Sequence, residues 1–293
     1  MDLFQSIILG IIEGLTEFLP ISSTAHMKFA NPLLGVVQTP FNDMFEVVVQ
    51  LAAILAVVVL YYKKFFDFSR LQFYVKLIVA VVPALAFGLV AKKYIDSALG
   101  NLTFIACVMI GGGIVLLFID KVFTKQTILK EEQITTKTAF TIGCFQVLSV
   151  VFPGLSRSAS TIIGGMSQKL TRSVAAEFSF FLAVPTMLAA SIKSFYDACK
   201  DNYLTTNNVP LAQMHDTKVS LSDTFGGANL SSLFTPSNTM ALAVGCIVSF
   251  IVAMIAVKFF IGFLKKYGFQ VWGVYRIIAG GIMLALLLSG VIR

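Results

Sequence analysis

The sequence predicts an all-α membrane protein with about six transmembrane helices and two re-entrant helical hairpins, arranged as an inverted-topology repeat. Of its 293 residues, 57% are hydrophobic and only 13% are charged, which excludes a soluble globular protein. The mean hydropathy is +0.86, and at least six apolar stretches approach the ~20 residues that cross a hydrocarbon core of ~30 Å. Two further apolar segments break at a proline, and the residues around the two prolines resemble each other.

The predicted spans are rich in Ala, Val, Ile, Leu and Phe and are bounded by Lys, Asp or Gly. They are 44–61, 76–92, 103–120, 175–195, 240–262 and 271–290. Segments 3–35 and 139–168 start as apolar helices but break into the polar stretches PISSTAH and PGLSRSAST. Non-helical backbone at membrane depth is tolerated only where it is buried in protein or lines a cavity. Both segments are therefore interpreted as re-entrant hairpins.

An internal repeat follows from aligning Pro20 with Pro153. This places GIIEGLTEFLPISST on GCFQVLSVVFPGLSR without a gap, with Glu13 on Gln146 and Ser23 on Ser156. The first repeat is expected at 1–125 and the second at 139–293, each with one hairpin and three spans. Because three is odd, the two halves should be inverted relative to each other.

The charged residues predict orientation rather than nucleic-acid binding. The net charge is +7, and much of the excess lies in short loops between apolar runs. Loops 61–76, 120–138 and 263–270 carry this excess and are expected in the cytoplasm. The segment 196–238 is long and polar, and we expect an external loop without strong structure of its own, with His215 solvated.

Glu13 and Glu17 are the first candidate functional residues. Their i, i+4 spacing on an apolar helix projects both carboxylates from one face. Burying each charge in a bilayer costs about 2.5–3.5 kcal/mol, so an accidental pair is not expected. The pair can share a proton, bind a hard cation such as Mg²⁺ or Ca²⁺, or orient an imidazole. The alternative is a pair satisfied by hydrogen bonds within the bundle.

A hydroxyl cluster, Ser22, Ser23 and Thr24, follows Pro20 and precedes His26. Hydroxyls beside a histidine and carboxylates indicate a nucleophile, a general acid/base and an orienting group. Alone, such a run after a proline is more often a helix N-cap. The neighbouring carboxylates and the repeat favour a functional role.

Arg157 is the lone cation in the second polar segment, and an arginine at membrane depth needs an anion. Hydroxyls surround it, and a helix is expected to start here, so free N–H groups and a guanidinium can converge on a phosphate. The hydroxyl residues are Ser156, Ser158, Ser160 and Thr161. The alternative is a salt bridge to Glu13 or Glu17, which substrate can replace. For Glu46, Gln50 and Glu177 we expect supporting hydrogen bonds rather than direct chemistry.

These motifs resemble the undecaprenyl-diphosphate phosphatases of the bacitracin-resistance type. The likeness lies in EGLTEFLPISSTAH at 13–26 and PGLSRSAST at 153–161, with FEVVVQLAAILAVV and EFSFFLAVP, and it covers nearly the whole chain. It implies a multi-pass hydrolase of the bacterial plasma (inner) membrane. Such an enzyme removes the terminal phosphate of undecaprenyl diphosphate, recycles the lipid carrier for peptidoglycan synthesis and confers bacitracin resistance.

The resemblance also implies site residues. The family's acidic motif corresponds to Glu13 and Glu17, its hydroxyl motif to Ser22 and Ser23, and its histidine and arginine to His26 and Arg157. The family usually has glycine where this chain has Ala25 and Ala159. We therefore expect that these two positions need only close approach and not a positive φ.

Together, the residues and the resemblance predict a diphosphate pocket open to the extracytoplasmic face. Ser23 is the expected nucleophile and His26 the general acid/base, with Ser22 or an activated water left open as the attacking group. A divalent cation, Mg²⁺ or Ca²⁺, is expected at Glu13 and Glu17. The expected substrate-binding residues are Ser22, Thr24, Ser156, Arg157, Ser158 and Thr161.

Two other functions stay open at this stage. Inverted repeats with broken helices also occur in secondary transporters, so a transporter or flippase of polyprenyl phosphate is the alternative. A purely structural membrane subunit conflicts with the cost of so many buried ionisable groups. The expected partners are the lipid substrate and the bilayer, with no nucleic acid. The sequence leaves the oligomeric state open, a homodimer included.

Overall fold

A computed structural model describes residues 1–67, 69–209, 214, 217 and 219–292, apart from the side chain of Lys265. The described part of the chain is almost entirely helical, with one isolated β-bridge between Ile128 and Leu170. The α-helices, in chain order, are α1 (Leu3–Thr16), α2 (Ser23–Leu33), α3 (Pro40–Leu60), α4 (Tyr62–Phe65), α5 (Leu71–Val90), α6 (Lys92–Leu99), α7 (Leu102–Val122), α8 (Thr136–Val151), α9 (Arg157–Ser167), α10 (Arg172–Thr206), α11 (Leu221–Thr224), α12 (Gly227–Leu233), α13 (Pro236–Tyr267) and α14 (Gln270–Leu288).

Six of the described helices are long and apolar enough to cross a membrane: α3, α5, α7, α10, α13 and α14. Each contains one of the predicted spans nearly whole, so the prediction of six transmembrane helices is confirmed. Many of their outward side chains are exposed and apolar, such as Ile78, Phe118 and Ile255. In a bilayer these side chains face lipid, which is as apolar as they are.

The two predicted hairpins are pairs of shorter helices, α1 with α2 and α8 with α9. α1 has 14 residues and α8 has 16, which is too short to cross a hydrocarbon core. The chain leaves helical geometry at 17–22 and at 152–156, around the two prolines, and then starts a new helix. A proline lacks the N–H that would continue the hydrogen-bond ladder, so it favours these breaks.

The hairpins are enclosed by the long helices. α1 packs along α13 and α8 packs along α5, while α3 lies against α10 and α7 against α14. Phe18, beside the first break, is fully buried and contacts Phe180 edge to face at 5.1 Å between ring centroids. The two breaks therefore lie inside protein, where irregular backbone can be satisfied.

The expectation of an unstructured loop over 196–238 is wrong for most of its described residues. α10 continues to Thr206, and α12 packs against it. The Asn229 side chain donates to Cys199 O at 2.8 Å and accepts from Asn202 Nδ2 at 2.6 Å. Leu233 is buried in one cluster with Leu9 and other apolar residues. His215 lies outside the described residues.

At the opposite end of the bundle, ion pairs join the loop after α3 to the connection between the two predicted repeats. Arg70 contacts Glu131 at 2.7 Å and Glu132 at 3.2 Å. Lys64 lies 3.5 Å from Glu177 on α10. Glu177 thus has the supporting role that the sequence predicts. These ion pairs join α4, α10 and the connection between α7 and α8 at this end of the molecule.

Candidate active site

A cavity of about 310 Å³ lies where the breaks of the two hairpins meet. It is enclosed by both hairpins and by helices α3, α6 and α10. Its wall combines polar side chains with small and apolar ones. The lining residues are Glu17, Ser22, Ser23, Thr24, Gln50, Ile95, Leu99, Gln146, Ser149, Val150, Pro153, Gly154, Ser156, Arg157, Thr186, Met187 and Ala190.

Ser22 and Ser156 have the same unusual geometry at the two breaks. Their φ angles are +70° and +77°, in a region that residues other than glycine rarely adopt. Each is an N-cap, and its hydroxyl accepts a backbone N–H, from Ala25 in one hairpin and from Ala159 in the other. Strained backbone of this kind costs about 1–3 kcal/mol and is concentrated at functional sites.

This geometry corrects one detail of the repeat alignment. The structural equivalent of Ser156 is Ser22 and not Ser23, because the second hairpin has one more residue between its proline and its N-cap. Ala25 and Ala159 lie in the first turns of α2 and α9, outside the positive-φ positions, and both are buried. The expectation that alanine fits these two sites without strain is confirmed.

The N-termini of α2 and α9 both lie at the cavity, since Ser22, Ser23, Ser156 and Arg157 line it. The first N–H groups of a helix have no acceptor within that helix, and the aligned peptide dipoles place partial positive charge there. Two such ends at one cavity suit an anion, and a phosphate above all.

Glu17 connects three elements at the cavity. Its Oε2 accepts the Ser23 hydroxyl at 2.6 Å and the Gln50 amide at 2.7 Å, and its Oε1 accepts from Arg157 at 2.9 Å. The carboxylate is 5% exposed, so these bonds form away from bulk water. Gln50 therefore has the supporting role expected for it, and the Ser23 hydroxyl has a carboxylate beside it.

Arg157 is held between the two hairpins and α10. Besides Glu17, it donates through one terminal nitrogen to Ser179 O at 3.0 Å. Its Nε is buried and has no hydrogen-bond partner among the described residues. The predicted salt bridge is thus present, and the guanidinium keeps a free donor for an anion.

Glu13 lies one helical turn before Glu17 but does not line the cavity. It is 1% exposed, and its Oε1 has no hydrogen-bond partner among the described residues. The described residues contain no group of three or more His, Cys, Asp or Glu side chains able to hold a metal. Both oxygens of Glu17 already accept donors. Mg²⁺ is often held by one or two carboxylates, with water and substrate phosphates as its other ligands, so the cation expected at Glu13 and Glu17 stays a prediction.

The predicted pairing of Ser23 with His26 is not present. His26 Nδ1 lies 2.7 Å from Ser22 O, which only accepts, so this nitrogen carries hydrogen. Its Nε2 lies 2.9 Å from the Tyr275 hydroxyl, and the two rings stack. His26 follows Ser23 by three residues on α2, and its ring packs on α14 instead of lining the cavity.

Ser158 and Thr161, which are expected to bind substrate, do not line the cavity in this geometry. The Ser158 hydroxyl donates to Leu19 O at 2.9 Å and so joins the two hairpins. The Thr161 hydroxyl contacts Arg157 O and the Ser179 hydroxyl, and the residue is fully buried. Hydroxyls on the inner side of a helix satisfy nearby carbonyls first. Both residues stabilise the site without lining it.

Five polar residues near the site were missed. Gln146, Ser149 and Thr186 line the cavity, and Tyr275 and Arg276 contact the hairpins from α14. Gln146 Nε2 lies 3.3 Å from the Thr186 hydroxyl. A signal was present for Arg276, since it is the lone charge in the apolar span 271–290. An intramembrane charge marks a functional position by default.

The fold and the site together define an integral membrane protein with an enclosed polar site for an anionic ligand. The chain belongs to the family described as bacitracin resistance protein BacA, whose sequence model matches residues 6–282. It is 43% identical to the undecaprenyl-diphosphatase of Porphyromonas gingivalis over 99% of both chains. It is 46% identical to that of Flavobacterium psychrophilum over 97% of this chain and 95% of the relative, and 39% identical to that of Aquifex aeolicus over 98% and 100%.

Proposed function

We propose that this protein is an undecaprenyl-diphosphatase, which hydrolyses undecaprenyl diphosphate to undecaprenyl phosphate and inorganic phosphate. The observation that carries the proposal is the Ser23 hydroxyl bound to Glu17 in a cavity with two helix N-termini and Arg157. The relatives named above support it, since each bears the name of this hydrolase. Through this reaction the protein recycles the lipid carrier for cell-wall synthesis and confers bacitracin resistance.

The terminal phosphate of the substrate binds at the N-termini of α2 and α9. Backbone N–H groups of both helices and the hydroxyls of Ser22, Thr24 and Ser156 surround it. Arg157 donates its free Nε–H to the phosphate, and the phosphate competes with Glu17 for the guanidinium. Once the phosphate has taken the guanidinium, the Glu17 carboxylate is free to accept the Ser23 proton.

The reaction then has two steps. Ser23 Oγ attacks the terminal phosphorus while its proton passes to Glu17, and the bond from that phosphorus to the bridging oxygen breaks. Undecaprenyl phosphate leaves with the proton that Glu17 took from Ser23, and a phosphoserine remains. A water then attacks the phosphorus of the phosphoserine and gives one proton to Glu17. The bond from phosphorus to Ser23 Oγ breaks, Glu17 passes that proton to Oγ, and inorganic phosphate is released. Arg157 and the helix N-termini stabilise the charge on the transferred phosphoryl group in both steps.

A trapping experiment tests the nucleophile. Brief reaction with substrate labelled at the terminal phosphate, followed by acid quenching, should place label on Ser23 in the wild-type protein. Ser23→Ala should remove the label and nearly all turnover, whereas Ser22→Ala should keep the label and lose only part of the rate. A Ser23→Ala protein that turns over normally would assign the attack to water or to Ser22.

His26→Gln separates Glu17 from His26 as the base. The geometry gives Ser23 a carboxylate partner, so the His26→Gln protein should retain the wild-type shape of its pH–rate profile. Loss of the pH dependence between about pH 5 and 8, where an unperturbed histidine changes charge, would restore His26 as the acid/base group. The amounts of folded protein must be matched between the two samples.

The divalent cation at Glu13 and Glu17 stays a prediction, and no step above uses it. Phosphate release measured before and after treatment with a chelator tests it directly. If a cation is required, Mg²⁺ or Ca²⁺ should restore the rate after the chelator is removed. An unchanged rate in excess chelator would exclude both.

The site opens toward the extracytoplasmic face of the bacterial plasma membrane in this proposal. α1 and α2 enter from the end of the bundle that holds α12, since Met1 and Leu34 belong to one cluster with Leu233. This end is opposite the cation-rich connections after α3 and α7. The lipid tail stays in the bilayer, and the head group reaches the cavity between α6 and α10, whose residues line it. A homodimer is compatible with this arrangement and is not required by it.

A further inference from the structure

Arg276 on α14 occupies a place that the proposed reaction does not explain. Its side chain is fully buried, at 0% exposure, although it belongs to an apolar membrane-spanning helix. It does not line the cavity. Burying a guanidinium at this depth costs several kcal/mol unless its donors are satisfied. The positions of its partners therefore indicate what it is for.

The four hydrogen bonds of Arg276 go to backbone carbonyls of three different elements. It donates to Pro20 O at 3.0 Å in the first hairpin. It donates to Leu155 O at 2.6 Å and Gly154 O at 2.8 Å in the second hairpin, and to Met109 O at 3.1 Å on α7. One rigid planar group thus binds the breaks of both hairpins at once.

Three of these carbonyls lie just before the N-caps of α2 and α9. Pro20 O comes two residues before Ser22, and Leu155 O comes one residue before Ser156. Both serines are N-caps with strained positive φ angles, and a strained backbone persists only where its surroundings determine it. The fork geometry of a guanidinium suits this purpose, because its donors have fixed directions.

We infer that Arg276 is a positioning residue that holds the two hairpin breaks in register, so that Ser23 from one and Arg157 from the other face the same phosphate. The inference rests on the proposed function, since it concerns the placement of the proposed nucleophile and phosphate clamp. Arg276 acts through the backbone and touches neither substrate nor reacting atoms. A shift of about 1 Å between the hairpins would cost about 100-fold in rate.

Gly112 gives a way to displace Arg276 without removing any group of the site. A Cβ added at Gly112 would lie against the guanidinium, 2.9 Å from its Cζ, and 2.9 Å from a methyl group of Leu155. The neighbouring Gly111 on the same helix faces open space, with nothing within 4 Å of an added Cβ. The two glycines form a matched pair, since both gain the same methyl group and the same helix propensity.

The test compares Gly112→Ala with Gly111→Ala in phosphate-release assays on equal amounts of folded protein. Gly112→Ala should lower kcat about 100-fold and change KM little, because the binding groups stay in the cavity while the nucleophile is misplaced. Gly111→Ala should have wild-type kcat. Arg276→Lys keeps the charge but not the fork, and it should match Gly112→Ala.

Gly273→Ala is the control for a purely structural effect. Its added Cβ would meet Gly113 O at 2.8 Å and a methyl group of Leu117 at 3.0 Å, so it disturbs the contact of α7 with α14 without pressing on Arg276. It should lower the thermal unfolding midpoint with little loss of kcat per folded molecule. If Gly112→Ala behaves like Gly273→Ala, Arg276 only packs, and the inference is wrong.

A second measurement serves if Gly112→Ala or Arg276→Lys fails to fold. Arg276→Ala leaves a cavity that guanidinium ion fits, and guanidinium below its denaturing concentration should restore part of kcat, while neutral urea should not. If guanidinium and urea had equal effects on the kcat of Arg276→Ala, the inference would be overturned. Failure of the proposed function looks different, because Ser23→Ala and Arg157→Lys would then retain wild-type turnover whatever the Arg276 variants do.

Discussion

The Glu17 carboxylate receives donors from α2, α3 and α9, so its replacement affects more than one contact. A glutamine at this position has one acceptor oxygen and adds two donors where three already point. The Ser23 hydroxyl would lose its base, and Arg157 would lose its ion-pair partner in a buried site. Breaking a buried pair by removing one partner costs about 3–5 kcal/mol.

We predict that Glu17→Gln abolishes phosphate release and lowers the thermal unfolding midpoint. Glu13→Gln should lower both the rate of phosphate release and the unfolding midpoint by less. Glu13 does not line the cavity, and its Oε1 has no hydrogen-bond partner among the described residues, so an amide there breaks none of the bonds that join Glu17 to Ser23, Gln50 and Arg157. Turnover and unfolding midpoints of the two purified proteins check this. Equal losses of activity in both would favour a shared proton or a shared cation at the two carboxylates.

Arg157→Lys should lower kcat about 100-fold in a protein that still folds. A lysine keeps the charge, but a single ammonium cannot reach Glu17 and Ser179 O together and still present a third donor to phosphate. The matched control is Arg172→Lys, which changes an arginine bound to Asp120 away from the cavity and should retain wild-type turnover. Normal turnover of Arg157→Lys would exclude a bidentate phosphate clamp.

At the residue scale, the sequence predicts which residue types the site holds better than how they pair. One cavity is lined by Ser22, Ser23, Glu17 and Arg157. Polar and charged residues are rare in apolar segments, so the sequence already marks these four as candidates. The partner of the Ser23 hydroxyl depends on side-chain direction at a helix start, which spacing does not determine. His26 was therefore expected at Ser23 although its ring packs on α14. Tyr275 was missed because a tyrosine in an apolar span gives no separate signal.

Among the elements, α2 and α9 both start at strained backbone. Ser22 and Ser156 combine a positive φ with an N-cap hydrogen bond. A serine at such a place is a compromise: the hydroxyl caps the helix, and the Cβ strains the backbone. The cavity needs the helix start at this place, since the first N–H groups are the phosphate ligands in the proposed reaction.

We predict that Ser156→Ala destabilises the protein by about 1 kcal/mol, because the cap is lost and the strain remains. Ser156→Gly should be nearly neutral, since relief of the strain offsets the lost cap. Thr135, the N-cap of α8, has an ordinary φ of −84° and is the control. The difference between the alanine and glycine variants should be smaller there. Thermal unfolding in detergent gives all four values, and equal differences at both sites would mean that Ser156 is unstrained.

The long helices follow from composition because the bilayer sets their length, so six spans can be counted from apolar stretches alone. The extension of α10 beyond its span does not follow. Its last residues, around Asp201 and Asn202, are polar because they leave the membrane, and polar residues in water are equally compatible with helix and loop. The buried face that folds them, with Cys199 and Leu204, depends on α12, which is distant in the sequence.

For the whole molecule, the helix contacts support the predicted inverted repeat. The helices of the first half can be paired in chain order with those of the second half: α1, α2, α3, α5 and α7 with α8, α9, α10, α13 and α14. Under this pairing, the contact of α1 with α13 corresponds to the contact of α8 with α5. The contacts of α3 with α10 and of α7 with α14 map onto themselves. This pattern is compatible with a two-fold relation between halves 1–125 and 139–293, which stays a prediction.

We predict that the two hairpins enter the membrane from opposite sides, and cysteine labelling of intact cells tests this. In a variant whose four native cysteines are replaced, Ser231→Cys should react with an impermeant reagent added outside. Lys125→Cys should react only after the cells are opened. Both positions are exposed, so neither result depends on burial. The excess of Lys and Arg at the Lys125 end orients the bundle, because positively charged loops stay in the cytoplasm. If Ser231→Cys were labelled only in opened cells, the orientation would be reversed, and the cavity would have to receive its diphosphate from the cytoplasmic side.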